Sequence, residues 1–344
     1  RYGVVVPVAA GSIFLGAGFI GAGASSTLWQ FSLAQGLLIG FLGCSTTFAP
    51  LVADTSQWFT RRRGIAIAIC MSGNYLAGAV WSPIVQHFVA SDGWRATYFG
   101  MGVFSTVTML PLALIVLHKR PPLQAPHAPE AATTKVAAFA SERPLGFSPA
   151  QLQALLGVAG VACCVAMSMP QVHIVAYCSD LGFGPARGAE MLSLMLLAGV
   201  ASRLISGWIS DRIGGLRTLL LGSVLQGVAL LGFLFTDGVA SLYLVSAMFG
   251  LFQGGIVPSY ALIVREYFLP KEAGARVGAI LMCTLFGMAL GGWLSGAIFD
   301  WTGSYRAAFL NGTAWNLVNV SIVLMLLYRA KGLRIEDRGL SRNA

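Results

Sequence analysis

The chain has 344 residues, of which 56% are apolar and only 10% are Asp, Glu, Lys or Arg, where a water-soluble domain carries about 25% charge. That composition excludes a solvated globular domain as the main body. The formal net charge of +9 does not indicate nucleic acid as a partner either, because such binders cluster their cations on one soluble face, and here they stand in ones to threes beside apolar runs.

Ten apolar runs are long enough to cross a hydrocarbon core of ~30 Å. In chain order they lie at about 4–24, 30–53, 64–89, 96–117, 151–177, 187–209, 216–236, 239–263, 277–299 and 306–328. The first holds Gly16-Ala17-Gly18-Phe19-Ile20-Gly21, which fits a dinucleotide fingerprint. No strand precedes it and no ribose-binding acid follows, so it reads as helix packing by small residues. The second run carries Ser45, Thr46 and Thr47; the loop after it holds Asp54, Trp58-Phe59 and Arg61, Arg62 and Arg63. The third carries Asn74 and Tyr75. Residues 118–150 contain Pro121, Pro122, Pro126, Pro129 and Pro144 with mixed charge, the composition of a linker.

The fifth run holds Pro170 and Gln171, then His173 and Tyr177 one turn apart. The proline predicts a kink where the polar groups begin. The sixth holds Arg203, eight residues before Asp211-Arg212, and so ~12 Å up the helix towards the bilayer centre. A cation at that depth costs at least ~2.5 kcal/mol and requires a partner or a wet cavity. No acid lies within one turn on its own helix: residues i−4, i−3, i+3 and i+4 are Gly199, Val200, Ser206 and Gly207. An uncompensated guanidinium suits an anionic substrate, which it can grip in bidentate fashion; the alternative is a structural arginine paired with another helix or reaching for the headgroups. Gln253, Ser259 and Tyr260 lie in the eighth run. Like Asn74, Tyr75 and Ser45 to Thr47, they are candidates for lining a cavity or for hydrogen bonds between helices. His173 is a candidate proton carrier or substrate contact, or a neutral imidazole bonded to a neighbouring helix. Tyr177 shares its face. The six cysteines lie in or at the ends of apolar runs without C-x-x-C spacing and read as packing residues. Asn311-Gly312-Thr313 fits a glycosylation sequon but falls inside the last span.

Lys and Arg alternate between the two sides of the spans. One side takes 18 of the 22 cations, the other only Arg95, Arg187 and Arg306, and the richer side is predicted to be cytoplasmic. The linker and the C-terminus fall on that side. A repeat is also visible: Arg1-Tyr2-Gly3 matches Arg212-Ile213-Gly214, and Trp94-Arg95-Ala96 matches Tyr305-Arg306-Ala307, both at an offset of 211 residues. The second half has two spans before Arg212, and none precede Arg1. The expectation is therefore a twelve-helix protein of which this chain carries ten: 1–117 as the N-terminal half, 118–150 as a cytoplasmic linker, 151–329 as the C-terminal half and 330–344 as a cytoplasmic tail.

Gly207-Trp208-Ile209-Ser210-Asp211-Arg212-Ile213-Gly214 resembles the G-x-x-x-D-R-x-G loop of the major facilitator superfamily. The resemblance implies an all-α, multi-pass fold of two six-helix halves. The finer words Trp58-Phe59, Arg62-Arg63-Gly64, His173 to Tyr177, Ser202-Arg203-Leu204 and Phe299-Asp300-Trp301-Thr302-Gly303 are similar to the monocarboxylate and oxalate-formate branch. That branch carries a substrate-binding arginine four residues before the same glycine, the place of Arg203. Two departures stand out. Members often have an Asp one turn before that arginine, where this chain has Gly199. The oxalate type has a lysine in its eleventh helix, and 277–299 has none, which argues against a dicarboxylate site.

The function expected from the sequence is secondary transport of small organic anions, chiefly monocarboxylates, by alternating access, coupled to protons or to exchange. Arg203, His173, Tyr177, Asn74, Tyr75, Gln253 and Tyr260 are the substrate-site candidates. At the water boundary, Asp211, Arg212, Arg62, Arg63, Arg276 and Asp54 are candidates for latches that close one side and break when the halves rock, or for plain surface charge. No nucleophile with a base, no metal cluster and no phosphate loop is present, so neither an enzyme nor a cofactor is expected. The expected setting is a monomer in the plasma membrane, or the inner membrane of a bacterium. Efflux of drugs or other amphipaths, and a transport-inactive sensor, are the alternatives.

Overall fold

The computed structural model describes residues 5–44, 51, 63–116, 144–236 and 238–343, without the side chains of 63–68, 270, 271, 273 and 332–343. Among the described residues the regular elements are all helices. In lipid the backbone must satisfy its own hydrogen bonds, and a helix does so within one segment. Eight helical segments among the described residues are long and apolar enough to cross a bilayer, and Leu28–Cys44 is apolar but shorter. Large apolar side chains cover the outside: Trp29, Phe235, Trp301 and Tyr328 are each more than four-fifths exposed. Water would penalise that surface, and lipid solvates it.

The chain divides into two compact units, Arg1–Asn74 with Val80–Pro126, and Tyr75–Ala79 with His127–Ala344. In the first, α1 (Val5–Ala24) is followed by α2 (Leu28–Leu33), started by Thr27, whose side chain accepts from the Gln30 amide. Where the sequence predicts one uninterrupted span over 30–53, the chain continues as a π-helical run, Ala34–Cys44. Gly36, Gly40 and Gly43 recur through it, and residues without Cβ resist the wider winding least. The next element, α3 (Arg63–Val116), has 54 residues. At ~1.5 Å per residue a straight helix of that length would far exceed the bilayer. It folds back at Gly93, whose φ of 83° and ψ of 159° are closed to other residues. Trp81 and Phe104 then meet edge to face, with ring centroids 4.8 Å apart. The two predicted runs 64–89 and 96–117 are thus the two arms of α3. The second arm packs on α1, where a Cβ on Gly102 would lie 2.7 Å from Ile20 and 2.9 Å from the Gly16 carbonyl. Gly18 is similarly close to Ile39, so the glycine-rich words of α1 serve helix contact.

The second unit holds α4 (Pro149–Asp180), α5 (Pro185–Ile213), α6 (Gly215–Leu234), α7 (Val239–Gln253), α8 (Ile256–Tyr267), α9 (Pro270–Thr302) and α10 (Tyr305–Asn343). Ser148 and Gln151 form a reciprocal capping box at the start of α4, and proline occupies the first turn of α4, α5 and α9, where a missing N–H costs nothing. Helix α4 is the most enclosed: from Gly157 to Pro170 few side chains reach the outside. It lies against α9 on a stripe of small residues, since a Cβ on Gly287 or Gly291 would approach the Val161 or Val165 backbone to 2.5 Å. Predicted run 239–263 is broken at Gly254-Gly255 into α7 and α8.

Apolar packing alone does not drive helices together in lipid, so buried polar groups matter more. The Tyr260 hydroxyl donates to Asn319 Oδ1 at 3.2 Å, and Asn319 Nδ2 donates to Ser223 Oγ at 2.7 Å. Asn316 Nδ2 donates to the Ser223 carbonyl at 2.9 Å, and Gln226 Nε2 to the Cys163 carbonyl at 3.2 Å. These bonds tie α8, α10, α6 and α4 into one bundle.

Candidate functional site

Helix α5 runs from Pro185 to Ile213 and is capped by Gly214, whose φ of 85° turns the chain into α6. Arg203 stands in its second half, 6% exposed, although long cations are almost never buried without a partner. The centre of its guanidinium lies 3.7 Å from the ring centroid of Tyr75, a residue of the second unit that is itself 8% exposed. The π face of Tyr75 is one partner of this cation. A desolvated pair of this kind contributes about 2 kcal/mol.

Gly199, one turn before Arg203, explains why the ring can be there. A Cβ on Gly199 would lie 2.6 Å from Tyr75 Cδ2 and 2.7 Å from its Cε2. The aromatic ring fills the volume that a side chain at position 199 would take. The same Cβ position lies 3.6 Å from the Gly250 carbonyl oxygen of α7, so α5, α7 and the Tyr75 turn converge on one glycine.

The other sequence-predicted residues fall into separate groups. Gln253, fully buried at the end of α7, accepts from Gln171 Nε2 at 3.0 Å; its own Nε2 is buried and makes no hydrogen bond. The Gln171 side chain joins the candidates on this bond, and its place directly after Pro170 was the available signal. His173 Nε2 lies 2.9 Å from the Gly292 carbonyl of α9. Its ring and that of Tyr177 both approach Tyr305 at the start of α10, with centroids at 5.9 and 5.3 Å; Phe299 stacks on Tyr305 at 4.2 Å. Tyr260 lies in the bundle core, its hydroxyl on Asn319, and Ser259 Oγ donates to the Gly255 carbonyl. Asn74 is exposed and belongs to the first unit.

Among the boundary charges, Asp211 and Arg212 are exposed, and Arg212 stacks on Trp208 at 3.7 Å. Arg276 pairs with Glu272 at 2.6 Å, donates to Gln153 Oε1 at 2.5 Å and covers the Phe268 ring at 4.6 Å. Asp54 and Arg62, like Ser45, Thr46 and Thr47, lie outside the described residues, and Arg63 is described only as the first residue of α3. Among the described residues no group of three or more His, Cys, Asp or Glu converges as a metal site would require.

The model of the Major Facilitator Superfamily matches residues 1–242 and 154–342. Monocarboxylate transporter 13 of Bos taurus is 27% identical over 336 residues, covering 95% of this chain and 74% of that protein. Monocarboxylate transporter 11 of Homo sapiens is 28% identical over 328 residues, covering 90% and 66%. The transporter pynF of Aspergillus niger is 25% identical over 275 residues, covering 79% and 60%. Among solved structures, the E. coli fucose:proton symporter FucP superposes with a TM-score of 0.62 at 13% identity, covering 94% of this chain and 84% of that one, a likeness of fold. With apolar spans, helices as the regular elements among the described residues and a family match that runs nearly the length of the chain, the protein belongs to the Major Facilitator Superfamily and is a multi-pass membrane transporter rather than an enzyme.

Proposed function

We propose that this protein moves small organic anions, chiefly monocarboxylates, by alternating access, linked to protons or to exchange. The observation that carries the reading is Arg203: a guanidinium 6% exposed within a spanning helix, held by its face on Tyr75. A guanidinium can grip a carboxylate in bidentate fashion, which makes a buried arginine on a spanning helix suited to an anionic substrate. The two monocarboxylate transporters at 27% and 28% identity support the choice of substrate class.

Gln253 with Gln171, and Asn74, are the further polar contacts in this proposal. His173 and Tyr177 supply a protonatable or hydrogen-bonding group, and Tyr260 a supporting one. Asp211, Arg212, Arg62, Arg63, Arg276 and Asp54 form the latch at the end of the spans richest in Lys and Arg, which faces the cytoplasm with the linker and C-terminus. The protein acts as a monomer in the plasma membrane. The test is uptake of radiolabelled lactate, pyruvate and acetate by cells expressing the intact protein. Losing a charge-assisted contact worth ~1.5–3 kcal/mol lowers uptake by roughly tenfold or more in Arg203→Ala. Saturable uptake that Arg203→Ala leaves unchanged overturns the substrate assignment.

A further inference from the structure

Beside the α5–α6 turn lies a cavity of about 190 Å³ that has no part in the proposed transport site. Its walls are mostly apolar, formed by Ile205 and Ile209 of α5, Leu221 and Leu225 of α6 and Leu251 and Phe252 of α7, with Ser202 and Ser206 of α5 also lining it and Thr218 at one end. Ile205, Leu221 and Leu251 are 50%, 44% and 41% exposed. All three lie on spanning helices, where an exposed aliphatic face suits lipid rather than water. Along α6 it runs from Thr218 to Leu225, ~10 Å at 1.5 Å per residue. A narrow, mostly apolar slot of this length accepts a hydrocarbon chain.

Charge at one end specifies which chain-bearing molecule fits. Arg212 follows Ile209 by three residues, and Arg217 precedes Leu221 by four. Those spacings place each arginine one turn beyond the crevice, on the helix faces that form its two walls. Both are exposed. Arg212 lies 3.7 Å over the ring of Trp208, which is 57% exposed, and an indole beside a guanidinium marks the headgroup level of a bilayer. Two carboxylates are near. Asp211 projects about 100° around α5 from Arg212, and Glu266 Oε1 accepts from the Gly215 amide at 2.9 Å within the turn.

We infer that an anionic phospholipid docks here, with one acyl chain in the α5–α6–α7 crevice and its phosphate spanning Arg212 and Arg217. Arg212 is shared with the proposed latch, and the lipid site does not depend on which substrate the protein transports.

Native mass spectrometry of the delipidated protein, given equal amounts of phosphatidylglycerol and phosphatidylcholine of the same chain length, tests it without a transport readout. The wild type retains phosphatidylglycerol in preference. The R212Q/R217Q double variant lowers that preference by about fivefold for each arginine, leaving phosphatidylcholine retention unchanged, and R212K/R217K restores it. Leu221→Trp, which fills the crevice, lowers retention of both lipids; Ile205→Trp replaces it if that variant is not monodisperse. Equal retention of the two lipids by the wild type overturns the inference. So does an unchanged preference in R212Q/R217Q, or undiminished retention in a folded crevice-filling variant.

Discussion

Gly250→Ala tests the packing that supports Arg203, because two effects of the substitution have opposite signs. Alanine is the better helix former by about 1 kcal/mol, so propensity alone predicts a more stable α7. Packing predicts the reverse. A Cβ on Gly250 would lie 2.7 Å from the carbonyl carbon of Met195 and 2.9 Å from its Cα, with the carbonyl oxygen nearer still. Real Cβ atoms essentially never come within 3.0 Å, and these neighbours are backbone, which cannot rotate away. α5 and α7 must part by about 1 Å, at an overpacking cost of about 1–3 kcal/mol. The displacement falls on Met195, one turn before Gly199, where Tyr75 and α7 both lean on α5. The net expectation is a stability loss of about 0–2 kcal/mol. Gly207→Ala is the control, since nothing lies within 4 Å of its Cβ position; it is expected to be neutral or stabilising. Thermal unfolding of the purified variants, followed by the fraction remaining monodisperse, reads the difference. A Gly250→Ala midpoint at or above that of Gly207→Ala would refute the reasoning.

Tyr75→Leu removes the π face from Arg203 and forfeits about 2 kcal/mol; monocarboxylate uptake is expected to fall about tenfold or more, while Tyr75→Phe stays near wild type, and equal uptake by the two variants refutes the stacking role. Asn319→Leu removes the bonds to Tyr260 and Ser223, and at ~0.6–1.7 kcal/mol for each interhelical bond in lipid it shifts unfolding in mixed micelles to lower detergent denaturant, with an unchanged midpoint as the contrary result. His173→Leu loses the contact to the Gly292 carbonyl whereas His173→Gln can restore it, so only the leucine variant is expected to accelerate proteolysis of the α4–α9 region. Ser148→Ala removes the cap of α4 and costs about 1 kcal/mol, measurable as faster amide hydrogen exchange over Gln151 to Leu155 alone.

The helical class and most of the spans were legible in the sequence. Some twenty apolar residues in a row have one way to satisfy their backbone in lipid, and that rule needs no knowledge of neighbours. Arg203 was legible for a related reason: a lone cation in such a run is costly wherever it points. The breaks within runs were harder to read. Gly93 lies in a polar loop where a turn was expected, but Gly254-Gly255 and the π-helical stretch after Leu33 sit inside unbroken apolar sequence. Composition there is the same on both sides of the break.

Partners across the fold were not legible at all. Gly199 reads in the sequence as a missing acid, whereas in the structure it is the space for the Tyr75 ring, 124 residues earlier in the chain. Gln253 meets Gln171, and Asn319 joins Tyr260 to Ser223, through contacts between helices far apart in sequence. Local hydropathy determines that a segment enters the bilayer, because lipid solvates every apolar face alike. Which face meets which neighbour depends on shape and on the pairing of buried polar groups, and these exist only once the helices are packed.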